Sequence, residues 1–217
     1  MPDYVQQRFN MVDAQVRAND VTDPRIHAAM RRIPRERFVP ASRRAMAYAD
    51  SVVEVAPQRF LLDPRTLSKL LQLVDVRNSD AVLDVGCATG YSSAVLACLA
   101  KNVIALEQDA DLVRAAVDAL PSVGVTNATV VQGQLTGGCK ESAPYDVIFV
   151  NGGIEQPPET LLAQLAEGGR LGAILQEGAQ GHATLFVRQH GRIGARAEFD
   201  AGVPLLAGFK RAVGFVF

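Results

Sequence analysis

A glycine-containing turn follows an aspartate-ended apolar run in residues 82–91, VLDVGCATGY. Gly86 can form a tight turn that a Cβ would disfavour, and Gly90 allows a ligand to approach the backbone closely. A dinucleotide-binding loop reads Gly-x-Gly-x-x-Gly, but here the last glycine comes one position early and Tyr91 stands in its place. No Walker-type lysine follows. The spacing therefore argues against NAD and against a P-loop, and it disfavours phosphate binding.

A second carboxylate lies at the end of the next apolar run, where Glu107 follows Gly86 by about twenty residues. A carboxylate at this position accepts hydrogen bonds from both hydroxyls of a ribose that carries no 2′-phosphate. The loop and Glu107 together predict a site for an adenosine-type ligand. The alternative interpretation is a simple tight turn, with Glu107 as a solvated residue at a strand end.

The elements that position these residues alternate between short apolar strands and amphipathic helices from residue 80 onward. Strands are predicted for AVLDVG, NVIALEQ, ATVVQGQ, YDVIFVNGG and RLGAIL, and helices for GYSSAVLACLAK, ADLVRAAVDALPSVG and PPETLLAQLAEGG. Strands that are apolar throughout, alternating with helices, indicate a parallel sheet covered on both faces. Ligands of such sheets bind beyond the carboxyl ends of the strands, where the loop and Glu107 fall.

The two ends of the chain follow different patterns. The first seventy-odd residues are predicted to be helices and turns, with Asp23 as the N-cap and Pro24 in the first turn of one helix. After Gly181 a hairpin is predicted, ATLFVRQ and RIGARAEF around a His190-Gly191 turn, and FKRAVGFVF is predicted as a closing strand. We expect an α/β fold: a doubly wound, mostly parallel sheet with antiparallel C-terminal strands. One domain is expected over 1–217, with a helical N-terminal segment (1–78) and a core (79–217).

Composition limits the classes of partner. The 217 residues include 22 basic and 23 acidic side chains, for a net charge of −1, so no overall charge favours nucleic acid or anionic membrane. The local run of arginines is expected to form a solvated helix face rather than a nucleic-acid patch, since no ladder of aromatic residues accompanies it: Arg31, Arg32, Arg35, Arg37, Arg43 and Arg44. Neither nucleic acid nor a membrane is predicted as a partner, and the pattern makes no prediction of oligomeric state.

Cysteine usage and the chain start predict a cytoplasmic protein. The three cysteines lack metal-ligand spacing and suit a reducing compartment. The first residues, MPDYVQQRFN, carry no basic-then-apolar signal pattern, and no run approaches membrane-spanning length. No metal site is predicted, and no role is assigned to the three histidines, His27, His182 and His190.

The pattern Asp84-x-Gly86-x-Ala88-x-Gly90 followed by Glu107 resembles the S-adenosylmethionine site of class I methyltransferases, which are Rossmann-like. Further segments resemble the protein-L-isoaspartate O-methyltransferase family, in order along the chain: MVDAQV…AMRRIPRERFVP…AYAD (11–50), APYDVIFV (143–150), LLAQLAEGGRL (161–171) and VPL (203–205). The resemblance implies S-adenosylmethionine as cofactor and methyl transfer to isoaspartyl carboxylates of proteins or peptides.

The resemblance also implies a cofactor site. The methionine portion is expected against Gly86, Cys87 and Gly90, with Asp84 near its ammonium, while Glu107 takes the ribose. The residues after the third strand are expected to border the adenine. The complete predicted set is Asp84, Gly86, Cys87, Ala88, Gly90, Glu107, Gln108, Gln132, Gly133 and Gln134.

Two of these positions depart from the family. Gln134 stands where the family usually has an aspartate, although a glutamine oxygen can still accept a hydrogen bond from the adenine amino group. Ala88 adds a methyl group where the backbone passes close to the ligand. That group is tolerable at a negative φ and costly at a positive one.

The predicted substrate side departs further. The family's Gln-Thr-Ile-Ser stretch aligns with Arg59, Phe60, Leu61 and Leu62, and its Val-Thr-Ala-Ala with residues 150–153. Substrate contacts are predicted for Arg59, Leu62 and Asn151. Arg59 is more simply interpreted as an exposed arginine, with a bidentate grip on a carboxylate as the sharper alternative. No catalytic base is assigned, because a carboxylate is already nucleophilic near neutral pH and positioning supplies most of the catalysis.

Three functions follow from this pattern. The first is an S-adenosylmethionine-dependent methyltransferase that acts on isoaspartyl residues. The second is a relative that keeps the fold and the cofactor but has lost catalysis along with the polar substrate stretch. The third is a methyltransferase for another nucleophile, in which Arg59 and Asn151 shape a new pocket.

Overall fold

The N-terminal part, in a computed structural model that describes residues 3–178 and 180–211, begins with helices. Helix α1 (Tyr4–Met11) continues through a π-helical turn over Val12–Val16, and α2 covers Pro24–Arg32. The side chain of Asp23 accepts a hydrogen bond from Arg25 N, so the predicted cap is confirmed. Met11, Val16 and Met30 are buried and join the main core.

The prediction of helices and turns alone is wrong after residue 52. Strands β1 (Val53–Ala56) and β2 (Arg59–Leu61) form a small antiparallel sheet. Alternating burial places Val53 and Val55 on the core face, which is the period of a half-buried strand. Gln58 turns the chain between them with a φ of 59°. Helix α3 (Pro64–Leu73) follows and begins at Asp63, whose side chain accepts from Thr66 N.

Seven strands of the described chain form the main sheet, in the order β5-β4-β3-β6-β7-β8-β9. The parallel strands are β3 (Ala81–Val85), β4 (Asn102–Glu107), β5 (Ala128–Gln132), β6 (Tyr145–Ile154) and β7 (Leu165–Glu177). The antiparallel strands are β8 (Gln180–Gln189) and β9 (Arg192–Asp200). Helices α4 (Tyr91–Ala97), α5 (Ala110–Ser122) and α6 (Glu159–Leu162) connect the parallel strands. The predicted doubly wound, mostly parallel fold with antiparallel C-terminal strands is confirmed.

Helix α6 is much shorter than the predicted PPETLLAQLAEGG helix. Pairing with β6 already begins at Leu165, which lies opposite Tyr145, so the chain leaves the helix after Leu162. Gly168, with a φ of 78°, interrupts the segment again before the regular part of β7. Here tertiary pairing overrides the helical pattern of the sequence.

The predicted C-terminal hairpin is confirmed. His190 and Gly191 both have a positive φ, 52° and 73°, as a two-residue type I′ turn requires. The expected closing strand, 209–217, falls mostly outside the described residues. Within 201–211 the chain crosses the sheet edge and forms an isolated bridge between Gly153 and Leu205. In the described ranges, none of the helices has the length and apolarity needed to cross a membrane.

The strand order reverses at β3, which lies between β4 on one side and β6 on the other. The connections that follow β3 and β6 run in opposite directions from this point, and sheets of this type bind their ligands between two such connections, at the carboxyl edge. The loop after β3, the end of β4 and the last residues of β6 therefore surround one location.

Candidate active site

The loop of residues 86–90 has a left-handed backbone at three of its five positions. Gly86, Ala88 and Gly90 have φ values of 75°, 51° and 95°. Glycine accepts this conformation freely, whereas an L-residue with a Cβ loses roughly 1–2 kcal/mol. Ala88 is therefore in the costly conformation. Gly90 is also needed for packing, because a Cβ there would lie 3.3 Å from the Cβ of Ala116 in α5.

The carboxylate of Glu107 is fully buried beside this loop. Its Oε1 accepts from Gln108 N (2.7 Å) and Asp109 N (3.0 Å), and its Oε2 accepts from Ala88 N (2.8 Å). These three backbone donors fix the carboxylate at the end of β4. The interpretation of Glu107 as a solvated strand-end residue is wrong.

The fourth donor to Glu107 is the guanidinium of Arg59, whose Nη2 lies 2.5 Å from Oε2. The interpretation of Arg59 as an exposed arginine is wrong, since only 7% of the residue is accessible. The alternate residues of β2, Arg59 and Leu61, are buried, and the contact with Glu107 places the Arg59 side chain at the carboxyl end of β4. Sequence reasoning chose Arg59 as a substrate residue but did not anticipate its pairing with Glu107.

Asp84 is also fully buried, at the end of β3. Its Oδ2 accepts from Ser92 Oγ (2.7 Å) and Ser93 Oγ (2.5 Å) in α4, and its Oδ1 accepts from Asn151 Nδ2 (2.5 Å) in β6. Burial raises the pKa of Asp84 to about 6, against the lowering effect of these hydrogen bonds. The carboxylate thus ties α4 and β6 to β3 at the reversal point.

Cys87 is buried in the same loop. Burial, followed by the nearby carboxylates of Asp84 and Glu107, raises its pKa well above the ordinary value. The thiol is therefore protonated at neutral pH and is a poor nucleophile.

The predicted substrate residue Leu62 is 3% exposed, and its carbonyl accepts from Arg35 Nη2 at 2.8 Å. Arg35 Nε donates to Ala47 O at 2.7 Å, and the guanidinium lies 4.7 Å from the centre of the Tyr91 ring. Burial lowers the pKa of Arg35. The prediction of a solvated arginine face is wrong for this residue, which is completely buried. Nothing in RRIPRER distinguishes it from its exposed neighbours.

Space at the site is small. A cavity of about 10 Å³, comparable to the room needed by one water, lies between two sets of residues. They are Leu61, Leu62 and Tyr91 on one side and Gly86, Cys87 and Asn151 on the other.

Leu206, in the segment after β9, covers the site. The sequence pattern did not indicate this role for Leu206. A Cβ at Gly86 would lie 2.9 Å from Leu206 Cδ1 and 3.3 Å from Arg59 Nη2. The segment is held in place by backbone bonds from Gly153 N to Pro204 O and from Leu206 N to Gly153 O.

The predicted adenine-side residues lie together beside Glu107. Gln132 is paired with Glu107 across β5 and β4, and Gly133 N donates to Glu107 O at 2.9 Å. The side chains of Gln108, Gln132 and Gln134 are exposed at this edge. The structure therefore brings all the predicted cofactor residues to one edge of the sheet, with a buried half at Asp84 and Gly86 and an open half at the glutamines.

Known proteins share both sequence and architecture with this chain. The family model for protein-L-isoaspartate(D-aspartate) O-methyltransferase (PCMT) matches residues 6–202. A protein-L-isoaspartate O-methyltransferase of Rhodopseudomonas palustris is 39% identical over 178 residues, which are 82% of this chain and 81% of that one. One of Koribacter versatilis is 35% identical over 207 residues, covering 94% and 92% of the two chains.

Solved structures agree on the fold. A protein-L-isoaspartate O-methyltransferase structure superposes with a TM-score of 0.78 at 25% identity, covering 94% of this chain and 66% of the other. A Plasmodium falciparum beta-aspartate methyltransferase (PCMT), solved in complex with S-adenosyl-L-homocysteine, gives a TM-score of 0.80 at 20% identity, with coverage of 92% and 97%. The resemblance drawn from the sequence is confirmed: this chain belongs to the protein-L-isoaspartate(D-aspartate) O-methyltransferase family of S-adenosylmethionine-dependent class I methyltransferases.

Proposed function

We propose that this protein transfers a methyl group from S-adenosylmethionine to the isoaspartyl carboxylates of proteins or peptides. The observation that carries the proposal is the carboxylate of Glu107, which three backbone N–H groups orient beside the positive-φ turn at Gly86. The order of the sheet puts this pair at its reversal point, where ligands of such folds bind.

The residues at this edge of the sheet have the hydrogen-bonding groups that S-adenosylmethionine requires. Glu107 supplies the acceptor that a ribose diol needs, and Gly86 leaves the backbone without a Cβ on the side where a ligand passes, whereas the missing Cβ of Gly90 lets α5 pack closely. Exposed glutamine side chains beside Glu107 offer acceptors and donors for an adenine edge. In the conformation described, Arg59 and Leu206 cover Gly86. Loading the cofactor therefore requires these two side chains to shift.

Each buried carboxylate has its own task. Glu107 binds the ribose hydroxyls, while Asp84 holds Ser92, Ser93 and Asn151 and so keeps the loop and α4 in register. Three of the roughly four acceptor positions of Asp84 are taken by Ser92, Ser93 and Asn151, so we infer that it acts on the cofactor's ammonium mainly by its charge. The Asp84 side chain, with a pKa of about 6, carries more negative charge as the pH rises through this value.

The reaction needs little acid–base chemistry. S-adenosylmethionine supplies an electrophilic methyl group when it is bound, and the substrate's carboxylate is ionised near neutral pH. The chain's contribution is alignment of the two and exclusion of water. The apolar wall of Leu61 and Leu62 and the cover of Leu206 suit the second task. We also infer a cytoplasmic location, since Cys87, Cys98 and Cys139 are all unpaired.

The test is incubation with methyl-labelled cofactor and an isoaspartyl peptide, with the ordinary aspartyl peptide as control. We expect label only in the isoaspartyl peptide, and as an ester that hydrolyses in mild base. Glu107→Gln is expected to abolish transfer and also to lower stability, because it leaves the buried Arg59 unpaired, so circular dichroism and thermal unfolding of the variant are measured beside its activity. Absence of transfer at saturating isoaspartyl peptide would refute the proposal.

A different methyl acceptor is the second candidate, and a specific observation favours it. The positions aligned with the family's polar substrate stretch are Phe60, Leu61 and Leu62, and both leucines are buried against the site. Labelling of a cell extract in place of the peptide distinguishes the two. The extract is first treated with a characterised isoaspartyl methyltransferase and unlabelled cofactor, which methylates the isoaspartyl residues. Proteins that still take up label afterwards contain another acceptor.

A further inference from the structure

The carboxylate of Glu107 has no acceptor position to spare. An ionised carboxylate offers about four lone-pair sites. Three are taken by the backbone N–H groups of Ala88, Gln108 and Asp109. The fourth goes to Arg59 Nη2. A ribose hydroxyl that is to hydrogen-bond this carboxylate must therefore displace at least one of the four donors.

Arg59 is the donor that can leave. The three backbone donors are fixed by β4 and by the loop, whose amides at Gly86 and Cys87 also bond Leu106 O. Arg59 is the one side-chain donor among the described residues that reach Glu107, and it sits at the end of a long, rotatable stem. It extends from β2, a strand of three residues beside the turn at Gln58.

We propose that Arg59 and the ribose of the cofactor compete for Glu107, and that the guanidinium released by the cofactor then binds the substrate's carboxylate. This inference rests on the proposed function. It makes Arg59 a specificity-determining residue that exchanges one carboxylate partner for another.

The exchange follows from the cost of a buried, unpaired charge. The side chain of Arg59 is 8% exposed, and its partner Glu107 is fully buried. Removing the partner from a buried charge is strongly destabilising, whereas a new carboxylate restores the pairing. The isoaspartyl substrate carries such a carboxylate, and an arginine can bind it through two parallel hydrogen bonds. Cofactor binding therefore creates the site that attracts the anionic substrate.

The first consequence is that Arg59 weakens the binding of cofactor alone. We expect Arg59→Gln to bind S-adenosylhomocysteine, the unreactive product form, about tenfold more tightly than the natural protein by calorimetry, a typical size for coupling between sites. Arg43→Gln is the matched control. It removes the same charge from an exposed ion pair with Glu54 on the neighbouring strand β1, and its affinity should equal that of the natural protein.

The second consequence needs no variant. In the natural protein, a saturating isoaspartyl peptide should tighten S-adenosylhomocysteine binding severalfold, and the same peptide with an amide in place of the free α-carboxylate of the isoaspartyl residue should not. Arg59→Gln should lose this effect. Thermal unfolding of each protein without ligand shows that the variants are folded.

Three outcomes overturn the inference, and they separate it from the proposed function. If Arg59→Gln and the natural protein bind S-adenosylhomocysteine equally, competition is refuted while the methyltransferase function stands. If the natural protein binds the two ligands independently, the exchange of partners is refuted. If neither protein binds S-adenosylhomocysteine, the inference and the proposed function fail together.

Discussion

The side-chain amide of Asn151 donates to Asp84 Oδ1 at 2.5 Å and joins β6 to β3 where the strand order reverses. The same amide lies 3.3 Å from Val85 O. Asn151 was predicted to contact substrate, but its polar end is turned toward Asp84. Burial raises the pKa of Asp84 to about 6, although the bond from Asn151 acts in the opposite direction, so the stability of this part of the sheet is expected to depend on pH.

Replacement of Asp84 by asparagine is expected to remove this pH dependence. The pKa of Asp84 is higher in the folded protein (about 6) than its ordinary value of 3.8, so the folded state binds the proton more tightly. The resulting stabilisation is fully present below about pH 4 and is lost as the pH rises through 6. Relative to Asp84→Asn, the natural protein should therefore lose roughly 2 kcal/mol between pH 4 and pH 7. Urea unfolding across this interval measures the difference, and a constant difference would contradict the expectation.

Ala88→Gly is expected to stabilise the protein. Ala88 has a φ of 51°, and its backbone N–H is fixed by Glu107, so the residue cannot relax to a negative φ without losing that bond. Glycine removes a strain of about 1 kcal/mol, which should exceed the entropy it adds to the unfolded chain. Ala115→Gly, in the regular part of α5, is the control and should destabilise by about 1 kcal/mol. Equal destabilisation by both changes, measured in urea, would show that the strain is absent.

Arg35→Lys is expected to lower the free energy of unfolding of the protein by about 2 kcal/mol. The guanidinium reaches Ala47 O and Leu62 O at once, and a single ammonium leaves one buried carbonyl without its donor. Arg32→Lys, an exposed position in α2, should change the free energy of unfolding by less than about 0.5 kcal/mol. Chemical unfolding of both variants makes the comparison. If they lose equal stability, the fork geometry of Arg35 has no special role.

Restoring hydroxyl residues to the substrate stretch is not expected to restore full isoaspartyl activity. Leu62 is buried in the core, so Phe60→Thr with Leu62→Ser should cost at least about 2 kcal/mol of stability. The resemblance described above also implies glycines just before this stretch, where this chain has Ala56 and Gln58. Gln58 has a φ of 59°, which glycine would adopt without strain. Methyl transfer to an isoaspartyl peptide, measured with and without Gln58→Gly, tests this. Activity equal to that of a typical family member in the double variant would disprove the expectation.

The sequence predicted the features that depend on local pattern. The alternation of apolar strands and helices, the loop at Gly86 and the acid at Glu107 are all readable from neighbouring residues, and the structure has them in place. The pairing of Arg59 with Glu107 was not readable, because it joins positions 48 residues apart through the packing of β2 on the main sheet. Arg35 was missed for a related reason. Whether an arginine is buried depends on the segments that pack over it. For Arg35 these segments carry Ala47 and Leu62, which lie 12 and 27 residues further along the chain.

Leu206, which packs over Gly86, lies outside the seven described strands of the main sheet. Its segment is tied to β6 by a few backbone hydrogen bonds, among them those that join Gly153 to Pro204 and to Leu206. A segment held in this way opens locally at a lower free-energy cost than the strands of the sheet. Such an opening uncovers Gly86 while the sheet, the loop and the two buried carboxylates keep their places.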